Sequence, residues 1–216
     1  MYFFTVGVSA QSLLEEGIIY YKSDSIINPA NSSCTPLLRE IRIYKKGNLY
    51  RAEFIKKDEK DTRLSEMEVQ LINREGKYLF KAVHPFMDKM ALFITLEDEK
   101  QRQAERSIEG HLKTYKLRSI KKEESLLAIP VKRAGLANVI DTMDLDVLIA
   151  DKIAIGFGLF FEEYRKIAGT PLRFYDKESD CFIRYTATHI DLKQLPASLF
   201  EMDSEYKIIT LDQVTK

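Results

Sequence analysis

Tryptophan is absent from the 216 residues, and cysteine and histidine are scarce, at two and three. Cys34 and Cys181 stand far apart, so they do not form the closely spaced pairs that hold zinc. An oxidising compartment would allow them to be bridged, but spacing alone does not show that their Cβ atoms meet. Closing so long a loop would stabilise by at most about 5 kcal/mol. His84, His111 and His189 match no HExxH or comparable ligand spacing. No metal and no cofactor is therefore expected. An excess of one charge is missing too: 33 Lys and Arg balance 33 Asp and Glu. That argues against a general nucleic-acid surface, which needs clustered positive charge to displace counterions. Away from the first residues, the longest uncharged apolar run, Ile153 to Phe161, is too short to span a bilayer. No internal repeat, low-complexity tract or flexible linker occurs, which favours a single domain.

What is present is bulk for a core. Hydrophobic residues make up 45% of the chain, with 11 Tyr and 12 Phe, so global disorder is excluded and a β-rich interior is favoured. At the start, the apolar run Tyr2 to Val8 leads to Val8-Ser9-Ala10 and then Gln11, like the end of a secretory signal whose charged first part is missing. Residues 1–10 are accordingly expected to be a truncated signal remnant, and 11–216 the domain. No cysteine follows Ala10 to carry an acyl anchor. Asn31-Ser32-Ser33 matches a glycosylation sequon, which has meaning only in a eukaryotic secretory context.

The period of two dominates the middle of the chain. Ile18 to Tyr21 opens a strand, and Lys22 to Pro36 reads as a loop. Ile41 and Ile43 share one face of a hairpin with Tyr50, Ala52 and Phe54, across the turn at Lys45 to Asn48. Met67, Val69 and Leu71 then pair through Asn73 to Gly76 with Tyr78, Phe80 and Ala82, and Met90 to Leu96 follows. Glu97 to Glu109 reads as an exposed helix or polar loop. Strand-like text returns at His111 to Ile120 and Leu126 to Val131. Successive hairpins of this kind predict an antiparallel meander.

Asp141 to Ala168 changes character. Leu145, Leu148, Ile149, Ile153 and Ala154 have helical spacing, Gly156 and Gly158 break the pattern, and Leu159, Phe160, Tyr164 and Ile167 form a second stripe. The expectation is two helices lying on the sheet, ended by a left-handed Gly169 and by Pro171. A last hairpin joins Leu172 and Phe174 to Ile183, Tyr185 and Ala187, and Phe200 plugs the sheet before a segment at Tyr206 to Leu211.

Several stretches in this order resemble the lipoprotein-localisation carriers LolA and LolB, and more closely the secreted envelope proteins that share their fold. They are Glu16 to Tyr20, Gly169-Thr170-Pro171-Leu172, Thr186 to Ile190, and Leu195-Pro196-Ala197-Ser198-Leu199-Phe200. The resemblance covers roughly Glu16 to Leu211. It implies an α+β, LolA-like fold: a curved antiparallel sheet, an incomplete β-barrel, wrapped around the helical insert. It also implies a periplasmic or outer-membrane-associated location. An apolar interior that takes acyl chains would follow, with a lipid or a lipidated protein as partner. Two departures stand: Gly110-His111 is followed by no cysteine, and the carriers' own signature residues are not recognisable.

Candidate chemistry is sparse. His189 and Asp191 fall two apart on one strand face, but no G-x-S-x-G elbow supplies a nucleophile, so no catalysis is expected. Asp141, Asp144 and Asp146 lack the glycine and terminal glutamate of a calcium loop and read as a capped helix start. Gly156-Phe157-Gly158 follows no βαβ strand and makes a weak phosphate site. Lys113, Lys116, Arg118, Lys121 and Lys122, around Tyr115, read as a wet strand face. The residues expected to line a cavity are Ile153, Ile155, Phe157, Leu159, Phe160, Phe161 and Tyr164. The alternative is that the same stripe is packed core in a structural or interaction module of the envelope.

Overall fold

A computed structural model describes residues 15–27, 38–57, 66–83, 89–101, 116–137, 145–178 and 181–214. The signal-like residues 1–10, the sequon, Cys34, His84, His111, Lys113, Tyr115, Asp141 and Asp144 lie outside them. The alternating stretches form strands β1 (Glu16–Ile27), β2 (Leu38–Lys46), β3 (Leu49–Lys57), β4 (Glu66–Ile72), β5 (Gly76–Val83) and β6 (Met90–Thr95). They continue as β7 (Lys116–Leu126), β8 (Ile129–Ala137), β9 (Leu145–Ala150), β10 (Thr170–Glu178), β11 (Cys181–Asp191) and β12 (Lys207–Thr210). All belong to one 12-stranded sheet in the order β12-β6-β5-β4-β3-β2-β1-β11-β10-β9-β8-β7. β1 sits in the middle, between β2 and β11, and so joins the β2–β6 half of the sheet to the β7–β11 half.

The sheet is open and not curled into the expected barrel. Every pairing is antiparallel except β12 on β6, which is parallel because the chain returns to that edge through the 192–206 crossover. β1 also runs on to Ile27, through much of what reads in sequence as loop.

The helical insert is not there. Leu145 to Ala150 is β9, held on both sides by β8 and β10, and the rest is a covering segment with two short 3-10 turns, Phe157–Leu159 and Glu162–Tyr164. A strand buried on both faces is a short continuous apolar run, whose spacing also fits a helix face. Gly156, at φ +64°, turns the chain where a helix would have to continue. Gly169, at φ +87°, does the same ahead of β10, and a Cβ there would lie 2.7 Å from the Ala150 carbonyl oxygen.

Paired residues share a face, so the registers define two surfaces. On the first, the covering segment packs Phe157 and Phe161 against Tyr21, Phe174 and Tyr164, with ring centroids 4.6 to 6.3 Å apart. Thr170 Oγ1 donates to the Ile153 carbonyl at 2.8 Å, and Lys45 Nζ to that of Ala154 at 2.6 Å, so the segment's backbone is fastened as well. On the second face, the 195–200 crossover seals Ile18, Tyr44, Leu71 and Tyr78 with Leu195 and Phe200. It is fastened through Glu16, which accepts from the Leu195 amide and from Lys46 Nζ. Those donors hold the Glu16 carboxyl below its ordinary range. Cys181 is buried and disulfide-bonded.

Candidate ligand-binding groove

One row of residues shows where the first face loses its cover. Ile19, Ile43, Ala52, Gln70, Leu79, Leu92 and Ile209 face one another in register across β1, β2, β3, β4, β5, β6 and β12. Ile19, Ile43 and Ala52 are wholly buried, whereas Gln70, Leu79, Leu92 and Ile209 are only half-buried. The change falls at β4, where the covering segment turns back at Leu159 and Phe160. Beyond it lies a groove of about 450 Å³ over β4, β5, β6 and β12. Its floor is Leu79, Leu92 and Ile209, with Met90 exposed at one end and Lys81 and Lys89 at the rim. Both lysines are neutralised locally, Lys81 by Glu66 at 3.7 Å and Lys89 by Glu205. The groove thus offers apolar surface with no net charge demand.

A second cavity of about 310 Å³ adjoins it, sharing Glu68 and Gln70. It lies between Arg39 and Phe54 on one side and Asp176, Tyr185 and Phe161 on the other. Burial pushes the Asp176 carboxyl up to about 6, helped by the charge of Glu163 and opposed by the Lys177 amide and Arg39. Burial and the Asp176 charge push the Tyr185 hydroxyl up to about 12, against Arg39. Gln70 lines both cavities, and its Oε1 is buried without a hydrogen-bond partner among the described residues.

The residues expected to line a cavity separate into two sets. Ile153, Ile155, Phe157, Phe161 and Tyr164 are buried in the core, and Tyr164 is tied to β10 through its hydroxyl, which donates to the Tyr175 carbonyl and accepts from the Tyr175 amide. Phe160 is half-buried and, with Phe161, lines the polar cavity. Leu159 is exposed. None of the seven lines the apolar groove. Its own floor was missed, although Met90 and Leu92 alternate with Ala91 in sequence and so mark one strand face. Arg39 and Asp176 meet only through the sheet, and no local pattern connects them.

The remaining candidates are dispersed. His189 lies against Tyr20, the rings tilted by 37° with centroids 5.7 Å apart, while Asp191 pairs with Lys193 at 2.5 Å, so the two do not orient one another. Asp146 accepts from Arg133 on the neighbouring strand β8, so it belongs to a strand pairing and not to a helix cap. Gly156 and Gly158 are packed against Tyr50 and Arg165, which leaves no room there for a phosphate. Among the described residues no cluster of His, Cys, Asp and Glu is arranged to hold a metal ion. No described helix is long and apolar enough to cross a membrane, which says nothing of strands. No protein-family model, curated protein or solved structure matches the chain.

Proposed function

We propose that the protein is a non-catalytic binding protein of a Gram-negative envelope, periplasmic or outer-membrane-associated. Its ligand is apolar: a lipid, or the acyl chain of a lipidated protein. The observation that carries this is the row from Ile19 to Ile209, apolar along almost its whole length but covered over only half of it. A groove of about 450 Å³ lies within the range that holds small ligands. The compartment is supported by the disulfide at Cys181, which an oxidising environment preserves. Kinship with the lipoprotein-localisation carriers belongs to the same proposal. Its support is the antiparallel core of the sheet and an apolar segment laid over one face, with 3-10 turns in place of helices.

The test is direct. The purified full-length chain, extracted with organic solvent and examined by native mass spectrometry, carries a lipid or saturably binds a fluorescent fatty acid. Leu79→Asn and Leu92→Asn weaken that binding, whereas Leu159→Asn, outside the groove, leaves it unchanged. Absence of both co-purified lipid and saturable binding refutes the proposal. A specific observation favours a second reading, an envelope interaction module with a packed interior: Ile153, Ile155, Phe157, Phe161 and Tyr164 fill the space beneath the covering segment themselves. Under that reading the groove variants change no lipid binding.

A further inference from the structure

The apolar groove and the polar cavity lie on one face of the sheet and share a wall at β4. Tyr21, Ile41, Phe54, Glu68 and Lys81 face one another in register across β1 to β5. Lys81 stands at the groove's rim, Phe54 lines the cavity, and Glu68, with Gln70 two residues on, lines both. Arg39 precedes Ile41 by two residues on β2, and Asp176 follows Phe174 by two on β10, so both point to this face. The covering segment reaches the cavity with Phe161, which packs edge-on to Phe54 at 5.8 Å. An apolar space therefore adjoins a charged one, the shape that suits a chain with a polar head.

The charges of the cavity decide which head. Glu40, Glu68, Glu162, Glu163 and Asp176 line it, against Arg39 and Lys56. Three of the acids are engaged already. Arg42 and Lys22 stand 3.5 and 3.9 Å from Glu40, Lys56 stands 4.0 Å from Glu68, and Glu162 has an interaction of its own. Glu163 and Asp176 remain. The Asp176 carboxyl is pushed up by burial and then by the Glu163 charge, so Arg39 opposes the excess of negative charge without cancelling it. Gln70 adds an acceptor at the shared wall that lacks a partner among the described residues. A donor head suits that acceptor, and a carboxylate or phosphate does not. We propose that the ligand is an amphiphile with a protonated amine as its head, the chain lying in the groove and the ammonium entering the polar cavity. This rests on the apolar-ligand reading of the groove and adds the class of head. Lys81 and Lys89 at the groove's rim do not compete for an anionic head, since Glu66 and Glu205 neutralise them.

Probes that differ only in the head test this on the full-length chain: radiolabelled hexadecylamine, hexadecanoate and hexadecan-1-ol, delivered from cyclodextrin at neutral pH. All of them bind through the chain, and the amine binds about tenfold or more tighter than the carboxylate, with the alcohol between. Basic and acidic residues balance at 33 each, so bulk charge does not favour the amine. Asp176→Asn and Glu163→Gln each cut the amine's advantage by about threefold or more and leave the alcohol unchanged. Leu79→Asn weakens all the probes. Glu163 is exposed, so Glu163→Gln keeps the test alive should Asp176→Asn fail to fold, which circular dichroism checks. Equal binding of amine and carboxylate, or tighter binding of the carboxylate, overturns the inference while the groove reading stands. So does an amine preference that neither carboxylate variant reduces. Failure of every probe to bind overturns the groove reading as well.

Discussion

Replacing Phe157 by alanine is the sharpest test of how the covering segment is held. The ring is 3% exposed and has four aromatic neighbours: stacked on Phe161 at 4.6 Å, edge-on to Phe174 at 4.8 Å and Tyr164 at 5.5 Å, and tilted to Tyr21 at 6.3 Å. Truncating a buried Phe costs about 3–5 kcal/mol, from lost transfer energy and the cavity left behind. Each ring pair adds about 0.5–1.5 kcal/mol to what area alone gives, which places this site toward the upper end. The fastening of the backbone on either side, through Thr170 and Lys45, limits how far the segment can collapse into the hole. With a urea m-value of about 3 kcal/mol/M, the midpoint falls by more than about 1 M at unchanged slope. Leu159→Ala, only two residues away but 45% exposed, costs less than about 0.5 kcal/mol. Equilibrium urea unfolding with the disulfide kept oxidised reads both, and Phe157→Leu serves as the milder variant if Phe157→Ala does not fold. Equal and small costs at the two positions would mean that the segment is not docked on the sheet, and the account of the first face would fail with it.

Three further outcomes follow from single sites. Leu127 and Ala128 form the β7–β8 turn with both φ values positive, 55° and 61°, a type I′ geometry that suits Asn-Gly. The pair Leu127→Asn with Ala128→Gly raises stability by about 1 kcal/mol or more, read by thermal or urea unfolding. At Gly169, alanine meets both the positive φ and the Ala150 carbonyl, so Gly169→Ala destabilises by about 2 kcal/mol or more, and an unchanged midpoint would count against the turn as described. Asp176 has a folded-state pKa of about 6, above its ordinary 3.8, so the folded state holds the extra proton between those values. Its contribution is greatest below about pH 4, declines as pH rises to about 6, and is flat above; the whole change is about 2–3 kcal/mol. Asp176→Asn removes that decline, so the difference between variant and parent midpoints grows from pH 4 to 6 and then levels. A constant difference refutes the assignment.

Much of the sheet is readable from alternation alone. The hairpins β2–β3, β4–β5 and β10–β11 each carry an apolar face at period two and a polar turn, because each has one face packed and one less so. What misleads is burial on both sides. β9 reads Leu-Asp-Val-Leu-Ile-Ala, and its apolar residues suit two faces of a strand as well as one face of a helix. Only the presence of β8 and β10 on either side decides between them, and that is a tertiary fact. The β7–β8 hairpin is harder for another reason: Leu127-Ala128 is not a turn sequence, so the flanking strands force the turn, and local chemistry does not signal it. The candidate site divides the same way. The aromatic residues of 153–164 announce a packed interior, and Met90 and Leu92 mark one face of β6. Nothing in the sequence tells that the cover ends at β4, since this depends on how far 151–169 reaches before it must return to β10.

That reach is also why a packed core and an open groove occur in one sheet. The covering segment leaves β9 at Ala150 and re-enters β10 at Thr170, two neighbouring strands, so it can only run out and come back. Its farthest contact is at Leu159, whose carbonyl receives Lys77 Nζ of β5 at 3.4 Å. Gly158 makes that reversal possible, because a Cβ there would lie 2.6 Å from the Arg165 Cα on the returning limb. Beyond the reversal the face has no chain of its own among the described residues, yet Leu79, Leu92 and Ile209 keep it apolar. Leaving these three half-exposed forgoes roughly 1 kcal/mol or more each relative to burial. Lengthening the reversal by a few residues bearing a leucine, inserted after Leu159, would therefore stabilise the fold and at the same time compete with a groove ligand. Gain of stability without loss of fatty-acid binding would place the ligand elsewhere.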